Sequence, residues 1–135
     1  MSLLQYITLY VLTVPVFFLI DMVWLGFVAK DFYQSKLGYL LGPVNWPAGL
    51  TFYFIYIVGI LIFAIVPALT GGSFMKAIVM GALFGFFAYA TYDLTNYATV
   101  KDWPLSVVLV DIAWGIVLTG SVSSLSYLIG KHFVL

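Results

Sequence analysis

The apolar residues of this 135-residue chain form four long runs separated by shorter polar connections. The runs cover approximately residues 3–28, 48–69, 74–98 and 105–130. As a helix, each run is long enough to cross the hydrocarbon core of a bilayer, which takes about 20 apolar residues. The pattern therefore predicts an all-α integral membrane protein, a four-helix antiparallel transmembrane bundle in a single domain over residues 1–135. Four spans put both chain ends on one side of the membrane (the terminal side), and connections 29–47 and 99–104 on the other (the loop side).

The longer loop-side connection carries a helical pattern of its own. Tyr33, Leu37, Leu40 and Leu41 recur at helical spacing, with Lys and Gln side chains on the opposite face. An amphipathic segment of this kind is typical of a helix that lies in the plane of the membrane surface. The pattern predicts a short interfacial helix between the first and second spans; an irregular loop anchored by aromatic residues is the alternative.

Two similar tripeptides precede the second and fourth spans, Asn45-Trp46-Pro47 and Asp102-Trp103-Pro104. Each offers an Asn or Asp side chain to cap the helix, a Trp suited to the membrane interface, and a Pro where a helical N–H has no partner. Because both helices enter the membrane from the loop side, we expect Trp46 and Trp103 to lie at the same interface.

Composition agrees with a membrane protein and excludes several functions. The chain is 64% hydrophobic and 7% charged, whereas a soluble domain has about a quarter charged residues. The formal net charge is zero and no basic run exists, which argues against nucleic acid as a partner. The chain has no Cys and a single His, His132, so disulfides, thiolate chemistry and histidine-based catalysis are excluded. No cofactor and no metal site are predicted.

Three of the five aspartates lie inside the apolar runs. Asp21 is nine residues before Lys30, Asp93 is nine before Asp102, and Asp111 is nine after Asp102. At about 1.5 Å per helical residue, all three carboxyls lie roughly 13 Å below the loop-side surface. An ionisable side chain inside a bilayer is costly and commonly marks a functional site. We therefore expect the functional site at this depth.

Aromatic and amide side chains occupy the same level, either one helical turn from an aspartate or on the second span. With Asp21, Asp93 and Asp111, the predicted ligand-binding residues are Trp24, Tyr53, Tyr56, Tyr89, Asn96 and Trp114. No Lys lies at this depth to neutralise the carboxylates. If the three carboxyls face one another, within roughly 10 Å, like-charge repulsion should keep at least one of them protonated at neutral pH.

Three interpretations of the aspartates remain open. In the first, the carboxyls are structural and exchange hydrogen bonds with Tyr, Asn and Trp side chains. In the second, the site binds or transports a proton or a small cationic or protonatable ligand between aromatic walls. In the third, the carboxyls act on a lipid headgroup, as acid and base or by holding a hard cation such as Mg²⁺. Binding with transport is the preferred function, and the lipid-headgroup enzyme is the alternative.

The third span carries a row of small residues, Gly81, Gly85 and Ala88. Small residues spaced by three or four positions share one helix face and allow two membrane helices to approach closely. Four helices also rarely enclose a transport path alone, so we expect a homodimer in the lipid bilayer.

Three motifs carry a resemblance to a known family. They are the D-x-x-W at Asp21–Trp24, the Y-D-L-T-N at Tyr92–Asn96 and a second D-x-x-W at Asp111–Trp114. Across nearly its whole length the chain resembles a bacterial family of small four-helix membrane proteins of unknown function. The resemblance implies an integral protein of the bacterial inner membrane and supplies no activity.

Overall fold

The computed structural model describes all 135 residues, and its secondary structure is entirely helical. The four membrane-spanning helices are α1 (Leu3–Val28), α3 (Trp46–Gly71), α4 (Phe74–Thr99) and α5 (Leu105–Val134). A short helix, α2 (Lys30–Leu37), follows α1 on the loop side. The predicted four-helix membrane bundle with a short helix between the first two spans is confirmed.

Local sequence explains where most of these helices begin. Ser2 caps α1 in a reciprocal arrangement with Gln5, and the Ser73 side chain accepts a hydrogen bond from the Lys76 N–H. Asn45 caps α3 as expected, accepting from the Ala48 N–H at 3.2 Å.

The expected cap of the fourth span is wrong. Pro104 precedes α5 without any side-chain cap, while Asp102 lies in the preceding turn with a φ of 60°. Asp and Asn tolerate this left-handed conformation better than most residues because their short side chains bond locally. Asp102 therefore shapes the turn between α4 and α5 and caps neither helix. Its carbonyl accepts from the Tyr39 hydroxyl at 2.6 Å, which ties the two loop-side connections together.

Helices α4 and α5 form the tightest pair in the bundle. A Cβ at Gly81 would lie 2.6 Å from Ser123 Cβ, and one at Gly85 would collide with the Gly115 carbonyl and Thr119. The Gly81 and Gly85 part of the small-residue row is therefore covered by α5 of the same chain. The expectation of a homodimer loses the support that this row was thought to give.

Packing differs between the two halves of the bundle. On the terminal side, residues such as Leu9, Phe17, Ile57, Ile60 and Leu118 are completely buried and form the apolar core. Going round the bundle, α1 packs against α5, α5 against α4, α4 against the middle and end of α3, and α3 against α1.

The backbone of α3 changes its neighbours along its length. Its first part, Trp46–Ile60, packs against α1 and diverges from α4, whereas Leu61–Ile65 packs against α4. Leu61–Ile65 is also a π-helical turn, and a second π turn, Trp24–Val28, ends α1. Such turns re-aim the side chains that follow them and are frequent near functional sites. The divergence leaves open space in the loop-side half of the bundle.

Candidate functional site

A cavity of about 490 Å³ occupies the loop-side half of the bundle. All five helices contribute to its wall, and α2 closes part of its mouth. Its polar and aromatic lining residues are Asp21, Trp24, Lys30, Tyr33, Gln34, Tyr53, Tyr89, Tyr92, Trp103, Asp111 and Trp114; five aliphatic residues, Leu25, Leu37, Leu41, Val44 and Val107, complete it.

Asp21 is held in the wall from α1. The residue is only 3% exposed, and its Oδ1 accepts a hydrogen bond from the Trp114 indole N–H at 3.2 Å. The Tyr53 phenol lies beside the same carboxyl. Donors of this kind stabilise a carboxylate inside an apolar environment.

Asp111 is held by a relay that begins on α2. The Tyr33 hydroxyl donates to Asp111 Oδ1 at 2.7 Å and accepts from the Trp24 indole N–H at 3.1 Å. Burial, together with the neighbouring Asp111 carboxylate, raises the pKa of the Tyr33 phenol above its ordinary range. Tyr33 therefore keeps its proton and acts as a donor to Asp111.

The two tryptophans of the D-x-x-W motifs lie against each other. The rings of Trp24 and Trp114 are stacked, with centroids 4.4 Å apart and planes within 6°. Each indole N–H donates toward an aspartate on the other side of the stack: Trp114 to Asp21 directly, and Trp24 to Asp111 through Tyr33. The stack thus fixes the positions of both carboxyls relative to α1 and α5.

Asp93 lies behind the cavity wall and does not line it. It is completely buried, and no N–H or O–H group donates to either carboxyl oxygen. The neighbouring polar group is the Asp111 carboxyl, whose charge also acts on Asp21. Two carboxyls can share a hydrogen bond only if one of them carries a proton.

The structure brings six of the nine predicted residues into the cavity wall. These are Asp21, Trp24, Tyr53, Tyr89, Asp111 and Trp114. The other three lie elsewhere. Asp93 is behind Asp111, Tyr56 bonds Thr119 at 2.7 Å in the buried core, and Asn96 lies beside the Tyr92 phenol.

Sequence analysis missed five polar or aromatic residues of the cavity: Lys30, Tyr33, Gln34, Tyr92 and Trp103. Tyr33 belonged to the predicted apolar face of the interfacial helix, and that face packs on the bundle, with Leu37 buried. The Trp103 indole N–H is buried without a partner. The amphipathic pattern locates the inward face of α2, but no local pattern indicates that the Tyr33 hydroxyl reaches Asp111.

A second cavity, of about 420 Å³, lies between the diverging parts of α3 and α4. It is lined by Gly49, Phe52, Tyr53, Ala88, Tyr89, Tyr92 and Asp111. Four of these residues, Tyr53, Tyr89, Tyr92 and Asp111, also line the first cavity. Because α3 and α4 are neighbours at the outside of the bundle, this space opens sideways, and we call it the lateral cleft.

No three carboxyl or imidazole side chains converge as ligands of one metal ion would. The site instead combines carboxylates, phenols and indoles around a largely apolar space. It is suited to recognising a ligand by charge, ring contacts and a few hydrogen bonds.

Comparison with known proteins places the chain in a family. The family described as "Predicted membrane protein (DUF2177)" matches residues 6–128, and the chain therefore belongs to it. No curated protein and no solved structure matches the chain.

Proposed function

Taking membership of this membrane protein family as the premise, we propose that the protein binds and moves a small organic cation or protonatable amine, in a bacterial cell membrane. The observation that carries the proposal is the pair of carboxyls, Asp21 and Asp111, on the wall of the loop-side cavity. Both are fixed by tryptophan and tyrosine donors before any ligand arrives.

The charge of the site favours a cationic ligand. Lys30 at the mouth is the one basic residue that lines the cavity, and it is exposed. The charged group acting on Asp93 and on Asp21 is the Asp111 carboxyl, with no lysine among their neighbours. A carboxylate at this depth is costly without a counter-charge, and a bound cation supplies one.

The walls favour an organic cation over a hydrated metal ion. Trp24, Trp114, Tyr53 and Tyr89 present aromatic rings to the cavity. The face of an aromatic ring attracts a cation, by roughly 0.5–2 kcal/mol for each good contact. An alkylammonium group can meet rings and carboxylates at once, whereas a hydrated metal ion would need more oxygen ligands.

Movement of the ligand requires helices that can bend. Pro15 lies within α1, and π turns interrupt α1 at Trp24–Val28 and α3 at Leu61–Ile65. These are the positions where a membrane helix changes direction most easily. The terminal-side core closes the path below the cavity, so transport needs a rearrangement at these positions or a path shared between copies of the chain.

Binding can be tested with tetramethylammonium and aspartate variants of purified protein in lipid nanodiscs. We expect Asp111→Asn and Asp21→Asn to weaken binding measured by calorimetry. A charge-assisted contact contributes about 1.5–3 kcal/mol, which corresponds to roughly tenfold to hundredfold in affinity. Asp102→Asn is the matched control because Asp102 is exposed in a turn outside the cavity. Equal binding by all four proteins would refute the proposal.

A lipid-headgroup enzyme is the second candidate, favoured by the lateral cleft that brings Asp111 toward the bilayer. Asp21 and Asp111, the two carboxyls on the cavity wall, would then act as acid and base. If the protein is a lipid-headgroup enzyme, lipids extracted from nanodiscs that contain it should include a new product after incubation. Unchanged lipids together with cation binding would favour the first function.

A further inference from the structure

The lateral cleft gives the site an opening toward the lipid as well as toward the loop-side surface. Its walls come from α3 (Gly49, Phe52) and α4 (Ala88, Tyr92), and Asp111 on α5 lies at its inner end. No other helix of the chain lies outside this gap, because α3 and α4 are adjacent in the order of packing. Phe52 and Tyr92 at its rim are more than half exposed, at 52% and 57%.

The two cavities meet at Asp111 but differ in character. The loop-side cavity carries Asp21, Lys30 and the indoles, whereas the rest of the lateral cleft is aromatic rings, Gly49 and Ala88. A ligand with a charged head and a long apolar tail could place the head in the first space and the tail in the second.

We propose that the ligand is a cationic amphiphile, such as a long-chain amine, that reaches the site from the bilayer with its tail in the lateral cleft. This inference rests on the proposed function and narrows its ligand class. Charge complementarity with Asp111 selects the head. The tail gains little by leaving lipid for protein, because lipid chains are as apolar as the cleft. Selectivity therefore lies in the carboxylate, and the cleft needs only to admit the tail.

Gly49 offers a way to close the cleft without disturbing the bundle. A Cβ at Gly49 would meet no atom within 4 Å, so a larger side chain fits there and projects into open space. Gly26 on α1 has equally free surroundings and lines neither cavity, which makes it the matched control. Gly49→Phe and Gly26→Phe thus add the same ring to two unhindered helical positions.

The test compares dodecyltrimethylammonium with tetramethylammonium, which share a head and differ in the tail. Binding in nanodiscs is followed by tryptophan fluorescence, with Asp111→Asn as the baseline for partition into lipid. Because the dodecyl compound concentrates in the bilayer onto which the cleft opens, we expect the parent to bind it at a lower total concentration than the small cation. Gly49→Phe should weaken dodecyl binding by about tenfold or more and leave tetramethylammonium binding unchanged. Gly26→Phe should alter neither.

Several results would overturn the inference. If the parent binds tetramethylammonium and the dodecyl compound equally, the cation site stands and the tail does not occupy the cleft. If Gly49→Phe lowers the affinity for both cations equally, the substitution disturbs the Asp111 site and does not report on the position of a tail. Ala88→Phe narrows the cleft from α4, so the same comparison of the two cations can be made with this variant if Gly49→Phe folds poorly. If neither cation binds the parent, the proposed function fails and this inference fails with it.

Discussion

Asp93 is the residue whose chemistry depends most on its surroundings. Its carboxyl is fully buried, receives no hydrogen bond from a donor group, and lies against Asp111. Asp111 already accepts a hydrogen bond from the Tyr33 hydroxyl. A buried carboxyl that no donor reaches costs least when it is neutral, so we expect Asp93 to carry a proton that it can donate toward the Asp111 carboxyl.

We therefore expect the infrared spectrum of the protein at neutral pH to contain the carbonyl band of a protonated carboxylic acid. Asp93→Asn should remove the band and preserve the fold, because the amide also donates to Asp111. Asp102→Asn should leave the band in place, since that side chain is exposed. A difference spectrum between parent and Asp93→Asn that contains only carboxylate bands would contradict a protonated Asp93.

Tyr33 gives a prediction about alkaline pH. The pKa of its phenol is raised in the folded protein by burial and by Asp111, so folding favours the protonated form. This contribution to stability is complete below the unfolded value of about 10 and is lost as the pH rises through the folded pKa.

Tyr33→Phe should therefore flatten the loss of stability above about pH 10, measured by unfolding in mixed detergent micelles. At neutral pH the same variant should be less stable by about 1–3 kcal/mol, because Trp24 and Asp111 lose their shared partner. Tyr39→Phe is the control on the same segment. A parallel pH dependence for parent and Tyr33→Phe would show that Tyr33 is not the group responsible.

Helix α2 is too short to be stable alone, since isolated helices of fewer than about 12 residues are marginal in water. Two side chains hold it on the bundle: Leu37, which is buried, and Tyr33, which bonds Asp111. Its residues Lys30, Tyr33, Gln34 and Leu37 form part of the cavity wall. Release of α2 would therefore open the site to water.

Leu37→Ala should loosen α2 selectively, because truncating a buried leucine costs about 2–5 kcal/mol. Hydrogen exchange followed by mass spectrometry should show faster exchange over 30–37 and little change in α4 and α5. Leu40→Ala serves as control, since Leu40 is 51% exposed. Uniformly faster exchange over the whole chain would mean that α2 is not a separable unit.

The pairing of α4 with α5 depends on glycine at closely packed positions. At Gly85 an added Cβ would collide with the Gly115 carbonyl, whereas at Gly26 it would meet nothing within 4 Å. We expect Gly85→Ala to destabilise the protein by about 1–3 kcal/mol, the usual cost of overpacking. Gly26→Ala should be neutral or slightly stabilising in the same detergent titration. Equal effects at the two positions would contradict the packing described for Gly85.

The bundle as a unit has one open end and one closed end. The cavity and the lateral cleft belong to the loop side, and the terminal side is filled by the apolar core. Trp46 begins α3 and Trp103 lies two residues before α5, and both helices start from the loop side. The order of the spans thus sets which surface gives access to the aspartates.

The absence of cysteine in the chain permits a direct test of this arrangement. Single cysteines at Asn45, Asp102 and Ser73 can be labelled in sealed vesicles with a membrane-impermeant maleimide. We expect Asn45→Cys and Asp102→Cys to react from the same side of the membrane and Ser73→Cys from the other. Labelling of Asn45→Cys and Asp102→Cys from opposite sides would overturn the four-span topology.

Much of this protein could be predicted from the sequence because the bilayer imposes simple rules on a chain. A helix must satisfy its own backbone in lipid, so apolar run lengths give the number of spans, and the spacing of Asp21, Asp93 and Asp111 gives their common depth. The D-x-x-W spacing likewise places Trp24 and Trp114 on the faces that carry Asp21 and Asp111.

Which of these groups touch one another was decided by the tertiary structure. Sequence periodicity gives the face of a helix but neither its neighbour nor its tilt, so the Tyr33–Asp111 bond and the lateral cleft could not be foreseen. The same limit left the partner of Gly81 and Gly85 open, and the structure shows that they pack on α5 of the same chain. The spacing along the sequence sets the three aspartates at one depth. The packing of α4 on α5 then buries Asp93 and leaves Asp21 and Asp111 on the cavity wall.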